Sequence, residues 1–262
     1  MRIWYQGLIP RSKSTEAYYS AMEEHAAVIG GKDTEVVFHG IPTDTYPAGF
    51  GPAEFTRYIA GEFVEIHSFA RMVTRAEEEG FDAIIIGTLQ EPGLSMLRTL
   101  TDIPIIGYGQ AASLIGRYLG DRIGVLAFNE ALFPIFKERL NLHVPGCVEQ
   151  VVGLQVSYEE LHKVFEGEQS DNLAAAIRNG CDELVAGGVS VIVPGQMLLT
   201  EAARVLGVSR VSQVPVMDGL GTLVAFAKSL VVLRQVSGMT INRRGFSWAR
   251  ALPEIREALV VL

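Results

Sequence analysis

The sequence predicts an α/β protein made of two pseudo-symmetric parallel-sheet domains with a ligand cleft at their interface. Three observations carry that expectation. Short all-apolar runs alternate with longer amphipathic ones along the chain, the pattern of parallel strands covered by helices on both faces. Two of these runs share one design: Ala83-Ile-Ile-Ile-Gly87-Thr88 and Val191-Ile-Val-Pro-Gly195-Gln196 each give an apolar strand, a glycine and a polar residue ahead of a helix. Two further pairs keep the same order at nearly the same spacing: Arg2-Ile-Trp-Tyr5 with Arg122-Ile-Gly-Val125, and Ile103-Pro-Ile-Ile-Gly107 with Val214-Pro-Val-Met-Asp218. Ordered matches of this kind indicate an internal duplication.

Taken in order, residues 2–9 read as the first strand. The polar loop at 10–15 follows, with Ser14 or Thr15 placed to cap a helix that stops near Gly30-Gly31. A strand over 34–39 leads into a segment, 40–52, punctuated by Pro42, Pro47, Gly49, Gly51 and Pro52; a loop this long inside a compact domain is usually functional or disordered. A helix over 53–79, with a break near Gly61, ends at Gly80. Strand 83–86, helix 92–100, strand 103–107 and a helix over 111–119 complete the first half. The second half reads as strand 122–127, helix 131–140, strand 148–152, a helical stretch over 158–179, strand 189–193, helix 197–206, strand 214–217 and a final helix over 220–233. A basic, aromatic tail closes the chain. The first domain is expected over 1–118 plus 219–262, and the second over 119–218.

Bulk properties exclude several classes. A chain of 262 residues with 48% apolar content can bury a large core. Its formal charge of −8 disfavours nucleic acid or an anionic membrane as partner. The two cysteines, Cys147 and Cys181, form neither a disulfide framework nor a zinc-ligand spacing, and the histidines show no metal-site spacing. No phosphate-binding glycine loop is present, so no cofactor and no metal are expected. No apolar run reaches the roughly 18 residues of a membrane span; Leu220 to Leu233 comes nearest and is broken by Lys228. The N-terminus opens at once on an apolar strand without the basic region of a signal peptide, so a cytoplasmic protein is expected.

These motifs together resemble the Asp/Glu/hydantoin racemase superfamily, most closely its hydantoin racemase branch. The family's Asp-Pro-Gly-Leu is matched by Glu91-Pro-Gly-Leu94, its Pro-Val-x-Gly by Pro104-Ile-Ile-Gly107, and its Glu-Ala-Ala helix start by Gln110-Ala-Ala112. In the second half its Leu-Gly-Cys and Pro-Val-Ile-Asp correspond to Pro194-Gly195-Gln196 and Pro215-Val-Met-Asp218, and its Ser-x-x-Gly-aromatic tail to Asn242-Arg-Arg-Gly-Phe246. The resemblance implies two similar α/β domains, a homo-oligomer, and a cofactor-independent reaction in which one thiolate removes a proton beside a carbonyl while a second thiol returns one to the opposite face. Here both cysteine positions are replaced, by Thr88 and Gln196. An alcohol does not ionise near neutral pH and an amide does not titrate, so two-thiol chemistry is not expected.

Candidate residues follow from these positions. Thr88 and Gln196 either bind a carboxylate, carbonyl or ring amide, or Thr88 acts as a nucleophile beside a base. Glu91, three residues on, serves as an acid/base group or complements a helix N-terminus. Tyr108, directly after a strand, donates to an oxyanion or packs. Ser12, Ser14 and Thr15 on the first loop suit an anion, and Gln6 and Tyr46 are further binding candidates. The expected substrate is a small carboxylate or cyclic amide. The expected reaction is hydrolysis, decarboxylation or another lyase or isomerase step at or beside the carbonyl. The alternatives are a racemase with substituted acid/base groups and a non-catalytic ligand-binding protein.

Overall fold

The computed structural model describes residues 1–48, 50–167 and 171–261. Its strands are β1 (Arg2–Gln6), β2 (Glu35–His39), β3 (Ala83–Ile86), β4 (Ile105–Gly107), β5 (Ile123–Ala127), β6 (Val148–Gly153), β7 (Val191–Pro194), β8 (Arg210–Val211) and β9 (Val214–Pro215). Its helices are α1 (Glu16–Gly30), α2 (Pro52–Phe55), α3 (Ile59–Glu78), α4 (Leu94–Leu97), α5 (Tyr108–Leu119), α6 (Phe133–His143), α7 (Tyr158–Lys163), α8 (Asp171–Ala186), α9 (Met197–Val205), α10 (Gly219–Ser237) and α11 (Pro253–Val261).

Two parallel sheets form the frame. The first runs β2-β1-β3-β4 and the second β6-β5-β7, extended past β7 by a parallel bridge between Ile192 and Val216. The two orders superpose: β1 and β5 are each central, β2 pairs like β6, β3 like β7, and the segment at Val216 stands where β4 does. This is the structural counterpart of the repeat in the sequence. β3, β5 and β7 are buried at every position, which is why they read as unbroken apolar runs rather than alternating ones. One hydrophobic core runs without interruption from the α1 side of the first sheet into the second, and a smaller core fills the α3 side of the first sheet. By length and composition α10 would pass for a membrane span. It packs against α1, α5, α9 and β3, burying Leu220, Leu223, Val224, Ala227 and Val231, while Lys228 donates to the Gly30 carbonyl.

Several boundaries differ from expectation. The helix expected over 53–79 is two helices, parted at 56–58 rather than at Gly61. The stretch expected over 158–179 is α7 and α8, with 168–170 outside the described residues. α8 continues through Gly180 to Ala186 because that glycine is pressed against β5: a Cβ there would stand 2.7 Å from the side chains of Leu126 and Leu154. Gly180 therefore serves close packing and not termination. The tail contains α11, which packs on α3 and which no signal in the basic, aromatic segment had marked. Gly49, part of the irregular 40–52 segment, lies outside the described residues.

Candidate active site

The loops leaving β1, β3, β5 and β7 converge on one cavity of about 80 Å³, open to solvent at its mouth. β1 contributes Gly7, Leu8 and Ile9, and β3 contributes Gly87, Thr88 and Gln90. β5 contributes Phe128, Asn129 and Leu132, and β7 contributes Gln196, Met197 and Leu198. The carboxyl ends of parallel strands are where open α/β sheets place ligands. Here the duplication brings the ends of both sheets to one place. Tyr5, Tyr18, Tyr19 and Tyr158 form aromatic walls, and Pro52 and Thr56 close one side.

Thr88 and Gln196 therefore face the same cavity from equivalent positions. The glycine before each has the same physical reason. A Cβ on Gly87 would overlap the Tyr5 phenol, and one on Gly195 would stand 2.7 Å from the Phe136 ring. In both halves an aromatic ring closes over the strand end and admits no side chain. The Thr88 hydroxyl donates to the Gln90 amide oxygen. Gln196 differs: its Oε1 and Nε2 are both buried and neither has a protein partner. Buried amides are normally paired, so this one presents a donor and an acceptor to whatever enters. Gln196 is also the N-cap residue of α9 without a side-chain cap bond, and Met197 and Leu198 begin that helix on the cavity wall. Their first-turn N–H groups have no partner within the helix and carry its positive end.

Electrostatically the cavity is quiet. Among its lining residues none is a carboxylate, thiol, histidine or cation. Burial pushes the phenols of Tyr5, Tyr18, Tyr19 and Tyr158 up, away from neutrality. Tyr5 donates to the Gly87 carbonyl at 3.3 Å.

The remaining sequence candidates are engaged elsewhere. Glu91 takes a left-handed backbone (φ 49°) and does not line the cavity; its carboxylate accepts from the Gln110 N–H at 2.8 Å and pairs with His143 Nε2 at 2.7 Å. That ties the loop after β3 to the end of α6 and turns Glu91 away from the acid/base place expected of it. Tyr108 is fully buried, and its hydroxyl donates to the Pro194 carbonyl at 2.8 Å, so it joins α5 to β7 and offers no proton to the cavity. The Ser12 and Ser14 hydroxyls bond each other, and Thr15 Oγ1 donates to the Pro10 carbonyl and accepts from the Ser12 N–H; all three shape the loop instead of lining the cavity. Gln6 is buried, with its amide between Trp4 Nε1 and the Gly7 carbonyl. Tyr46 stands one layer behind, donating to the carbonyl of the lining residue Leu8 at 3.0 Å.

Sequence reading missed the tyrosine walls and the loop after β5. Phe128 and Asn129 were accessible through the repeat, because β5 answers to β1 and its exit loop must reach the same cavity. Tyr18, Tyr19 and Tyr158 carry no such signal, since aromatic residues on helices pack in cores more often than they line sites. A second polar cluster was also missed. His25 holds Glu201 at 2.8 Å and Asp218 at 3.1 Å, joining α1, α9 and the start of α10, with Asp218 also capping α10 through the Gly221 N–H. The three donors lie within 4.8 Å of one another, but both ring nitrogens of His25 are already spent on the two carboxylates.

Two parallel sheets, a repeat-related cavity at the strand ends and facing residues at Thr88 and Gln196 define a duplicated α/β protein with a cavity shared by its two sheets. The chain belongs to the Asp/Glu/Hydantoin racemase family, whose model matches residues 7–227. It is 24% identical to the hydantoin racemase of Pseudomonas sp. (strain NS671) over 211 residues, 80% of each chain. Among solved structures it is similar to allantoin racemase from Klebsiella pneumoniae, with a TM-score of 0.73 and 20% identity, covering 96% of this chain and 94% of that one. The allantoin racemase of Pseudomonas fluorescens gives a TM-score of 0.71 and 21% identity, covering 97% and 98%.

Proposed function

We propose that the chain is a cofactor-independent enzyme, a cytoplasmic homo-oligomer, that binds a small carbonyl compound in this cavity and acts at or beside the carbonyl through a step needing no side-chain base. The observation that carries the reading is the pair Thr88 and Gln196, which occupy equivalent sites on one cavity and cannot shuttle protons. Moving a proton between two faces of a carbon by side chains requires groups whose pKa lies within reach of the operating pH. The cavity walls hold none, and burial moves the phenols further away.

Loss of a carboxylate from a carbon flanked by a carbonyl suits such a cavity. The carbon–carbon bond breaks and carbon dioxide leaves. The electron pair passes to the carbonyl oxygen, and the carbon then takes a proton from water. The developing oxyanion is met by first-turn N–H groups of α9. The aromatic walls keep the departing carboxylate poorly solvated, which favours its loss. Gln196 orients the substrate through its free donor and acceptor. A second reading, racemisation of a cyclic amide by exchange through water, is favoured by the likeness to a hydantoin racemase over most of the chain.

The test is incubation in D2O with 5-substituted hydantoins, 2-aryl-2-alkyl malonates and free amino acids. Carbon dioxide release with one deuterium in the product supports the first reading. Deuterium at the α-carbon of recovered hydantoin supports the second. Thermal stabilisation by these compounds without turnover leaves a binding protein and refutes both.

A further inference from the structure

A second cavity lies at the β4 edge of the first sheet. It has a volume of about 240 Å³ and shares no lining residue with the first. Three segments far apart in sequence wall it: residues 98–110 around β4, the C-terminal end of α10, and Trp248 of the tail. The tail is fastened there. Arg243 pairs with Asp102 and donates to the carbonyls of Arg98 at 2.9 Å and Trp248 at 3.3 Å, while the Ala251 N–H donates to the Thr99 carbonyl. Trp248 is thus held against the cavity by the chain's own bonding.

The charges around this cavity do not balance. The Arg98 guanidinium donates to the Ile105 carbonyl at 2.8 Å and to the Gln110 amide oxygen, both neutral acceptors. Glu91 is near enough to favour that charge, yet its two oxygens are taken by the Gln110 N–H and His143. Across the cavity, Arg234 has no acid within ion-pair distance among the described residues. The acid on the wall, Asp102, is already held by Arg243 and Arg250. Arg98 Nη1 and the Arg234 guanidinium therefore keep donors with no hydrogen-bond partner among the described residues, and both line the cavity. The remaining walls are apolar, with Leu230, Leu233 and Trp248 prominent.

We propose that this second cavity is a binding site for a small organic anion, a carboxylate or phosphate attached to an apolar ring. The anionic group sits between Arg98 Nη1 and Arg234, whose planar guanidinium suits a two-oxygen acceptor. The ring lies against Leu233 and Trp248.

The chain supplies its own reporter. Of its two tryptophans, Trp4 is 1% exposed and Trp248 is 41% exposed, so a ligand here changes the emission of Trp248. The intact protein is titrated with benzoate, phenyl phosphate, inorganic phosphate and benzamide. Saturable quenching by benzoate or phenyl phosphate is expected. Arg234→Gln should weaken it at least tenfold, and Gln196→Met should leave it unchanged. Trp248→Phe should abolish the emission change while calorimetry still reports heat of binding. Arg234 stands on the surface of α10, so its variant tests the site without the folding risk that Arg98 carries. The proposal is overturned by no saturable response, by equal response in Arg234→Gln, by benzamide or inorganic phosphate matching the organic anions, or by loss of the response in Gln196→Met, which would assign the ligand to the first cavity.

Discussion

Replacing Gln196 by methionine should make the free protein more stable and its cavity less able to hold ligand. Methionine has nearly the volume and flexibility of glutamine without its polar atoms. Both amide atoms of Gln196 are buried and unpartnered, and each buried unsatisfied group costs about 1–3 kcal/mol. Since the residue as a whole is only half-buried, the lower end applies, a gain of about 1–2 kcal/mol. At about 2–4 °C per kcal/mol for a domain of this size, the melting temperature should rise by roughly 2–8 °C. The same change removes two hydrogen bonds to a bound carbonyl compound, each worth about 0.5–1.5 kcal/mol, so affinity for a probe such as 5-benzylhydantoin should fall roughly 5- to 100-fold. Thermal unfolding with and without the probe reads both effects, and the stability half needs no ligand. A variant that melts lower than the parent, or one that binds the probe equally well, would refute the reasoning that this amide is kept for a ligand.

Three further outcomes are expected. Glu91→Gln should destabilise by about 1–3 kcal/mol, because His143 loses a buried charged partner while the Gln110 N–H keeps an acceptor; probe affinity should stay within about threefold, and a larger loss would return Glu91 to the cavity. Gly87→Ala should destabilise by about 1–3 kcal/mol in urea unfolding, since the added methyl overlaps Tyr5; a neutral result would mean the ring over the strand end is free to move. For His25, burial lowers the pKa, but the bonds to Asp218 and Glu201 outweigh it and raise it from 6.5 to about 9. The folded form holds the proton more tightly, so this stability is complete below pH 6.5 and is lost as pH rises through 9. Urea midpoints should fall across that window in the parent and flatten in His25→Gln.

The frame was legible because it rests on local pattern. A strand buried on both faces must be apolar at every position, so Ala83–Ile86 and Val191–Pro194 announced themselves, and the repeat tied them together. The pairing of positions 88 and 196 across one cavity followed from that repeat alone. The functional candidates chosen by residue type fared differently. Glu91 and Tyr108 stand within a few residues of strand ends, but each side chain is bonded to a partner that sequence does not place nearby, His143 and the Pro194 carbonyl, while Thr15 and Gln6 are taken up by the local partners Pro10 and Trp4. A polar group near a cleft and one lining it look identical until those partners are known.

By itself, then, the sequence determined the duplicated parallel-sheet frame, the ends of its central strands, and the presence at two of those ends of Thr88 and Gln196, side chains that do not titrate near neutral pH. These are properties of short stretches and of their repetition. Only the tertiary structure decided which polar groups are spent on other parts of the chain and which are left open, the Gln196 amide and the Arg234 guanidinium among them. Hydrogen-bond satisfaction is a property of contacts between segments far apart in sequence, 86 positions for Tyr108 and Pro194 and 198 for Lys228 and Gly30, and no local pattern encodes it.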